Sequence, residues 1–293
     1  LPARSEMCIR DRPYPDQEFL DDWLLRTCEL VRDYQPEILY FDWWIQHTAF
    51  KEYLKLFAAY YYNLGVATGK PASICYKHDA QAFGSGIVEM ERGGFAEIQP
   101  FTWQTDTAIA RNSWGYTEQL DYKSAKEIIQ TLIDVVSKNG NLLLNIGPKG
   151  DGSIPERDQA ILKEIGAWLE VNGPAIYDSY AWRQFGEGPT QPASGPFSDG
   201  DIVTYTHQDF RFTAKGGSVY VYAMEPTMDQ WLTVEALADE RENPASRFHG
   251  IIKSVSLLGY EKALKWEQTS QGLRIFLSEV ETNLPLVFKV ELA

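Results

Sequence analysis

The sequence predicts an α/β domain with a parallel sheet, followed by an all-β region folded as an antiparallel sandwich. Over roughly the first 180 residues, short apolar runs alternate with stretches of helical periodicity, as in strand and helix crossover units. Residues 183–201 are rich in Gly, Pro and Ser, which indicates a linker or long loop. Beyond them, apolar and polar residues alternate in short segments, the pattern of a sandwich of roughly 100 residues.

The α/β part is predicted element by element from its apolar periodicity. Strands buried on both faces read as continuous apolar runs, whereas amphipathic helices repeat apolar residues at spacings of three, four and seven. A capping box, Ser124 with Glu127, marks one helix start, and Pro155 marks another. In chain order the predicted elements are a helix at about 17–33, a strand at 36–42, a helix at about 48–64 that ends at Gly65, a strand at 71–76, a helix at 124–139, a strand at 141–147 and a helix from 155 onward.

Residues 80–122 keep no sustained period, although they contain many aromatic residues, glycines and carboxylates. A long irregular segment inside a compact domain is usually a functional loop, or it contains an element that the pattern does not reveal. This segment is therefore a place to look for functional side chains.

Five later segments alternate apolar and polar residues and are predicted as strands of the sandwich. They lie at 217–224, 251–259, 262–270, 272–279 and 285–292. Together with the change of composition after Trp182, they predict two domains, 1–185 and 186–293.

The composition restricts the classes of function. With 293 residues and 44% apolar content the chain can bury a large core, and its net charge of −14 repels phosphate backbones and anionic headgroups. We therefore expect no nucleic acid partner, and the absence of a long apolar run predicts no membrane insertion. Three scattered cysteines and four histidines lack the spacing of a disulfide framework or a metal centre, so no metal or cofactor is predicted.

Asp42 is the first candidate for a catalytic role. It ends the apolar run of "ILYFDWW", where side chains of a parallel β/α barrel reach the functional face. Tyr40, Trp43 and Trp44 surround it with flat apolar surface, which suits the C–H faces of a sugar. Two simpler interpretations remain open, because Asp42 can cap the following turn and the tryptophans can be core residues.

A second carboxylate is needed for glycoside hydrolysis, in which one acidic residue attacks or acts as base and the other donates a proton. The segment 86–116 offers several acidic residues, and spacing alone does not choose among them. The candidates are Glu89, Glu91, Glu97 and Asp106.

Four segments, in order and across about 150 residues, resemble the family 29 α-L-fucosidases. They read "ILYFDWW", "EMERGGFAEIQPFTWQTDTAIARNSWGY", "VSKNGNLLLNIGPKGDGSIP" and "WLEVNGPAIYDSYAW", and the strings "SWGY" and "NLLLNIGP" are the most specific. The resemblance implies a (β/α)₈-like catalytic domain followed by a β-sandwich. It also implies a retaining exo-glycosidase that hydrolyses terminal α-L-fucosyl residues through a covalent fucosyl-enzyme.

The same resemblance implies roles for individual residues. Asp42 matches the family's nucleophile, and Glu91 in the string "ERG" is the expected acid/base. Glu89 is the alternative, because it lies two residues away and faces the same side of an extended segment, so that an alignment error of two residues would exchange them. One departure is Gln104, at a position where some members have a glutamate that has been the acid/base candidate. An amide cannot transfer the proton, so the assignment falls on the "EMERG" segment.

Substrate contacts are implied for four further residues. Trp114 of "SWGY" is expected against the C5 methyl group of fucose, and His78, together with Lys77, ends a strand where relatives have a basic group. Tyr40 and Trp43 are expected near the sugar. Each of these residues also has a purely structural interpretation as a packing side chain.

The front of the chain departs from the family, whose members have about three β/α units before the nucleophile strand. A barrel typically takes about 250 residues, so we expect a partial barrel, and the charged, patternless opening before Asp16 suggests a truncated or artificially joined terminus. Two hypotheses follow. The chain is an α-L-fucosidase, or it is a catalytically silent fucosidase-like fragment that at most binds glycans or pairs with another polypeptide. A structural sandwich protein is a weaker third option.

The expected partner is a fucosylated oligosaccharide or glycoconjugate. Linkage preference and oligomeric state are not predicted. By resemblance alone the protein is expected to be secreted or periplasmic, although the sequence contains no apolar signal segment.

Overall fold

The computed structural model describes residues 14–200, 202–227, 230–239, 241, 248–278, 280 and 282–293. The contacts divide the chain into two compact units. The first unit comprises Leu1–Glu91 and Thr102–Gln104, and the second comprises Arg92–Phe101 and Thr105–Ala293. The charged opening of the sequence, including Cys8, lies outside the described residues.

The first unit contains a parallel sheet of three strands and two helices. The strands are β1 (Ile38–Tyr40), β2 (Ser73–Lys77) and β3 (Ile87–Glu91), and the helices are α1 (Gln17–Tyr34) and α2 (Lys51–Thr68). Strand β2 pairs with both neighbours, so that Tyr40 lies opposite Cys75 and Lys77 lies opposite Glu89. This register places the ends of the three strands side by side.

Local signals in the sequence account for the helix limits of this unit. Asp16 caps α1 by accepting a hydrogen bond from the backbone N–H of Phe19 at 2.9 Å. The predicted end of α2 at Gly65 is wrong, because the helix continues to Thr68 and ends at Gly69 with a φ of 68°. Gly65 has another function: a Cβ there would lie 2.9 Å from the carbonyl oxygen of Lys70 and from Cβ of Ala72, so only glycine allows the returning chain to pass.

The second unit begins its β/α part with β4 (Trp103–Ala108), whose first two residues are assigned to the first unit. It continues with α3 (Ala125–Ser137), β5 (Gly140–Asn145) and α4 (Glu156–Ile176). The predicted capping box is present, since Ser124 accepts from the backbone of Glu127 and the Glu127 carboxylate accepts in return. The segment 80–122, which lacked a pattern, contains both β3 and β4.

Two antiparallel sheets complete the second unit. The five-stranded sheet has the order β10 (Ile252–Leu257), β13 (Leu286–Leu292), β8 (Ser218–Ala223), β7 (Phe210–Lys215) and β6 (Tyr180–Glu187). The three-stranded sheet has the order β11 (Lys265–Thr269), β12 (Gly272–Leu277) and β9 (Gln230–Val234).

Alternating residues of these two sheets form one apolar core, with Phe212, Val221, Leu232 and Ile275 at most 1% exposed. The predicted order, a parallel α/β part followed by antiparallel sheets, is confirmed. None of the helices in the described ranges is both long and apolar enough to cross a membrane.

Candidate active site

One buried cation gathers three carboxylates in the first unit. Lys77 is the last residue of β2, and its side chain is 3% exposed. Its Nζ lies 3.0 Å from Oδ1 of Asp42, 2.7 Å from Oε2 of Glu91 and 3.7 Å from Oε2 of Glu89. The three candidate catalytic carboxylates of this unit are therefore within reach of a single ammonium group.

The parallel strands explain why these residues meet. Asp42 follows β1 by two residues, Lys77 ends β2, and Glu89 and Glu91 occupy alternate positions on β3. The carboxyl ends of parallel strands lie at one edge, and residues two apart project from the same face of a strand. Residues that are far apart in the sequence are therefore close together at this edge of the sheet.

Asp42 is the accessible carboxylate of the cluster, with a side chain 62% exposed. Its Oδ1 receives Lys77 at 3.0 Å and the hydroxyl of Tyr40 at 3.5 Å. Its Oδ2 accepts no hydrogen bond from another described residue, so one oxygen is held while the other is open to a ligand.

Glu91 and Glu89 differ in exposure and in partners. The Glu91 side chain is 12% exposed, and its Oε2 accepts from Lys77 at 2.7 Å and from the indole Nε1 of Trp43 at 2.6 Å. The Glu89 side chain is 0% exposed. A group that transfers a proton to a substrate must reach it, and by this criterion Glu91 is better placed than Glu89.

The spacing of Asp42 and Glu91 bears on the stereochemistry of a reaction between them. Because Oδ1 and Oε2 both contact the Nζ of Lys77, they are at most 5.7 Å apart, the sum of the two distances. Retaining glycosidases place their carboxyl groups about 5–5.5 Å apart, and inverting enzymes place them about 6.5–9.5 Å apart to admit a water. The bound applies to Oδ1 and Oε2, and it agrees with two carboxyl groups close enough for a retaining mechanism.

Aromatic rings enclose the ammonium group of Lys77. The rings of Tyr40 and Trp43 lie 5.7 and 5.3 Å from Nζ, a distance at which a cation is attracted to a π face. His78 is exposed, has a φ of 53° and packs its ring 4.7 Å from that of Trp43. Within the described residues, Lys77 and not His78 is the basic group paired with Asp42.

A cavity of about 580 Å³ opens beside Asp42. Its walls in the first unit are mainly aromatic and include Trp23, Phe41, Trp43 and Trp44. Ligand sites typically measure about 300–1,000 Å³ and combine apolar walls with a few polar groups. The cavity therefore has the size and lining of a small-molecule site with Asp42 as a polar group.

Comparison with known sequences supports an assignment to a family. A sequence model described as alpha-L-fucosidase matches residues 5–174, and one described as alpha-L-fucosidase C-terminal domain matches residues 203–291. The first match alone covers more than half of the chain. The chain belongs to the alpha-L-fucosidase family.

Individual alpha-L-fucosidases agree with this assignment. The plasma alpha-L-fucosidase of Homo sapiens is 30% identical over 273 residues, which cover 86% of this chain and 50% of the human protein. The alpha-L-fucosidase of Branchiostoma floridae is 27% identical over 290 residues, covering 94% of this chain and 57% of that protein. The chain thus spans about half the length of these relatives.

Solved alpha-L-fucosidase structures share the fold. One superposes with a TM-score of 0.74 at 26% identity, covering 94% of this chain and 57% of the other. The Thermotoga maritima alpha-fucosidase in complex with fucose superposes with a TM-score of 0.69 at 26% identity, with the same coverage. The predicted fold class, a partial (β/α)₈-like barrel followed by an antiparallel β-sandwich, is confirmed by this similarity.

Trp114 lies in the second unit, where it is 38% exposed. The guanidinium of Arg92 stacks on its ring at 4.2 Å, and its carbonyl oxygen accepts from Nδ2 of Asn145 at 2.6 Å. A Cβ on Gly147 would lie 2.8 Å from the backbone nitrogen of Tyr116. The family strings "SWGY" and "NLLLNIGP" are therefore packed against each other, whereas the predicted contact of Trp114 with fucose stays a prediction.

The other acidic candidates have different surroundings. Asp106 is buried in the second unit, and its Oδ1 accepts from the backbone N–H of Arg92 at 3.3 Å, which indicates a structural function. Glu97 is exposed. Among the described residues, no group of three or more His, Cys, Asp or Glu side chains is arranged to hold a metal ion.

Lys77 has a more central position in the site than its sequence context indicates. A basic residue at the end of an apolar strand is a candidate for a functional position. Both Lys77 and the adjacent His78 meet this description, so the sequence does not choose between them. The strand register decides between them, because Lys77 continues the extended backbone of β2 while His78 has already left it.

Proposed function

We propose that this chain hydrolyses terminal α-L-fucosyl residues of glycans with retention of anomeric configuration. The observation that carries this proposal is the shared contact of Asp42 and Glu91 with the Nζ of Lys77, which keeps Oδ1 of Asp42 within 5.7 Å of Oε2 of Glu91. The membership in the alpha-L-fucosidase family supports the choice of sugar. The binding of fucose by the Thermotoga maritima relative is a further support.

The first half of the reaction forms a covalent intermediate. The open Oδ2 of Asp42 attacks the anomeric carbon of the fucoside, and the bond from that carbon to the leaving oxygen breaks. Glu91 in its protonated form gives its proton to the leaving oxygen, so the aglycone departs as an alcohol. The product of this step is a fucosyl ester on Asp42 with Glu91 as a carboxylate.

The second half of the reaction regenerates the protein. The Glu91 carboxylate takes a proton from water, and the water oxygen attacks the anomeric carbon of the ester. The ester bond to Asp42 breaks, which releases fucose and restores the two protonation states of the start. Two inversions at the same carbon give net retention.

Lys77 acts here as a positioning residue. It fixes Oδ1 of Asp42 and Oε2 of Glu91, and its charge stabilises the Asp42 carboxylate before the attack and the Glu91 carboxylate while Asp42 is an ester. Trp43 adds a second donor on the same oxygen of Glu91. The other oxygen of Glu91 is then the one that carries the transferred proton.

Hydrolysis of 4-nitrophenyl α-L-fucoside by the chain tests the proposal. Asp42→Asn is expected to abolish turnover, because an amide is a poor nucleophile. Glu91→Gln is expected to lose more activity on an alkyl fucoside than on the 4-nitrophenyl compound, because 4-nitrophenolate needs little help from an acid. The same leaving-group pattern in Glu89→Gln but not in Glu91→Gln would move the acid/base function to Glu89.

A catalytically silent protein that at most binds glycans is the second candidate function. Membership in the alpha-L-fucosidase family does not favour this alternative. A folded chain that binds fucose without turning over any fucoside would support this alternative.

We also propose the domain boundary at 185/186. The two family matches, 5–174 and 203–291, support a boundary in the interval between them, which also contains β6. Limited proteolysis that first cuts the chain within 186–202 would agree with the boundary, and a first cut elsewhere would move it.

A further inference from the structure

A second cavity lies in the antiparallel part of the second unit, and the proposed hydrolysis does not use it. It measures about 480 Å³, within the range of about 300–1,000 Å³ that is typical of small-molecule sites. It is bounded by the end of β6 at Glu187, by the turn residues His207 and Gln208, and by Trp231 and Thr233 of β9. In the part of the chain that the structure describes, β6 and β9 are edge strands of their sheets, so the cavity lies at an edge of both sheets.

Trp231 is an aromatic wall that the sheet itself holds in place. Along β9, Leu232 and Val234 are buried while Trp231 and Thr233 are partly exposed, so the last two face outward. The Trp231 ring lies 5.5 Å from that of Phe276, and the guanidinium of Arg274 lies 4.6 Å from its centre. These neighbours hold the indole in place. Ordering this side chain therefore costs little entropy when a ligand packs against it.

Glu187 forms a fixed wall of the cavity. Its two carboxylate oxygens accept hydrogen bonds of 2.7 Å from the backbone N–H groups of Glu235 and Ala236. The end of β6 is thereby tied to the turn that follows β9, and the cavity between them has a defined width. The carboxylate of Glu187 is already engaged and is not counted among the groups that can bind a ligand.

Several other polar groups of the cavity are uncommitted. The side chains of His207, Gln208, Thr233 and Glu235 make no hydrogen bond to any other residue that the structure describes. Together they offer both donors and acceptors, and Gln208 and Thr233 offer both at once. This mixture suits hydroxyl groups, which also donate and accept.

The charge of the cavity narrows the choice of ligand. Two carboxylates line it, Arg274 and Lys265 lie over the Trp231 ring, and the whole chain has a net charge of −14, so the charges favour neither a strongly anionic nor a strongly cationic ligand. Metal binding is not indicated among the described residues. A neutral ring with hydroxyl groups on its edge and C–H groups on its face fits the combination of an aromatic wall and mixed polar groups.

We propose that this cavity is a non-catalytic binding site for a sugar residue of a neutral glycan, with Trp231 as the stacking surface. Gln208, Thr233 and Glu235 bind the hydroxyl groups. The site retains a glycan near the protein independently of any cleavage, so it does not depend on the proposed hydrolysis.

The test is an NMR titration of the Asp42→Asn chain with lactose and, separately, with 2′-fucosyllactose. The indole N–H signal of Trp231 is identified by its absence in Trp231→Ala. We expect this signal to shift on addition of lactose and to saturate. Gln208→Ala and Glu235→Gln keep the signal, and we expect each to weaken binding by about tenfold, the size of effect typical of a residue central to binding.

Tyr180→Ala is the matched control, because Tyr180 is an exposed aromatic residue of β6 outside the cavity, and it should leave the affinity unchanged. An unmoved Trp231 signal with both sugars would overturn the proposal. So would a shift that is insensitive to Gln208→Ala and Glu235→Gln. Because the readout is binding in a variant without the proposed nucleophile, neither result depends on whether the chain hydrolyses fucosides.

Discussion

At the scale of single residues, the contacts of Lys77 hold the candidate site together. A lysine that is 3% exposed and lies near three carboxylates compensates charges that would otherwise repel each other. Removing one partner from such a group leaves the others uncompensated, and the loss is larger than the net contribution of the pair. The effect of replacing Lys77 should therefore exceed that of replacing an exposed lysine.

We expect Lys77→Met to lower the free energy of unfolding by about 3 kcal/mol, because the Glu91 carboxylate, with a side chain only 12% exposed, loses its contact with the ammonium group. The measurement is urea unfolding at neutral pH. Lys55→Met is the control: Lys55 pairs with Glu52 on the surface, with side chains 72% and 77% exposed, and its loss should cost at most about 1 kcal/mol. Equal losses in the two variants would contradict the organising function of Lys77.

Trp43 has a narrower function that a conservative change isolates. Trp43→Phe keeps an aromatic ring beside Lys77 but removes the indole N–H that donates to Oε2 of Glu91 at 2.6 Å. Hydrogen bonds to charged groups contribute about 1.5–3 kcal/mol, so kcat is expected to fall by roughly tenfold or more while the fold is kept. The check is kcat together with a circular dichroism melt. An unchanged kcat would show that the indole N–H does not position Glu91.

The residues of the candidate site were predictable to different degrees. Asp42, Glu89 and Glu91 could be singled out because each stands at or near a strand in a recognisable string, although their roles stay predictions. Lys77 could not be ranked above His78, because the contact that distinguishes them depends on the register between β2 and its neighbours. Register is a non-local property that two adjacent basic residues in a sequence do not reveal.

At the scale of elements, two helical glycines give a controlled comparison. Gly65 in α2 has no room for a Cβ, which would meet the Lys70 carbonyl and Ala72 at 2.9 Å, whereas Gly166 in α4 has nothing within 4 Å. Gly→Ala in an open helical position stabilises by about 0.5–1 kcal/mol. We therefore expect Gly166→Ala to raise the melting temperature and Gly65→Ala to lower it, as measured by thermal unfolding. A higher melting temperature in both variants would mean that the backbone after α2 moves readily to make room for the added Cβ.

Asp209 anchors the long Gly- and Pro-rich segment between β6 and β7. It is fully buried, and its carboxylate accepts four hydrogen bonds of 2.7–2.9 Å from the backbone and hydroxyl groups of Thr190 and Thr206. Burial alone would raise the pKa of Asp209, but these donors outweigh it and lower the pKa below its ordinary value. The ionised form is thus the one that stabilises the fold.

This lowered pKa predicts a pH-dependent effect of Asp209→Asn. The stabilisation by Asp209 is fully present above the pKa of the unfolded chain, about 3.9, and is lost as pH falls through the lower pKa of the folded state. We expect the variant to be less stable than wild type by about 1–3 kcal/mol at neutral pH, with the difference shrinking in strong acid. Urea unfolding at several pH values measures it, and a difference that is constant down to strong acid would contradict the assignment.

Element prediction failed where pairing partners are distant in sequence. Residues 183–187 were assigned to a linker, yet they belong to β6, and a Cβ on Gly186 would lie 2.4 Å from the carbonyl oxygen of Phe210 on β7. Gly186 lowers the strand signal in the sequence and is required by the close approach of the neighbouring strand. Strand β12 was predictable because its buried residues alternate with partly exposed ones, which gives period two. All six residues of β8 are buried, and alternate side chains of this strand lie in two different apolar clusters.

At the scale of the whole molecule, the succession of an α/β part and a sandwich was predictable from the hydrophobic pattern. The family was predicted from the resemblance of four sequence segments to known members. Alternation of helix and strand signals, followed by period-two segments, was enough to predict a parallel part and a sandwich. The composition also restricted the expected classes of binding partner, since a net charge of −14 disfavours polyanions. The reaction and the sugar could not be predicted from composition or period, because function depends on particular residues within the fold.

The proposed mechanism requires that Asp42 forms a covalent bond to fucose. The most direct measurement is the mass of the chain, and then of its peptides, after reaction with a 2-deoxy-2-fluoro-fucosyl fluoride, which slows release of the ester more than its formation. We predict one added fluorofucosyl group per chain, on the peptide that contains Asp42, and none on Asp42→Asn. A chain that hydrolyses fucosides but carries the label on another residue, or carries no label at all, would contradict the claim.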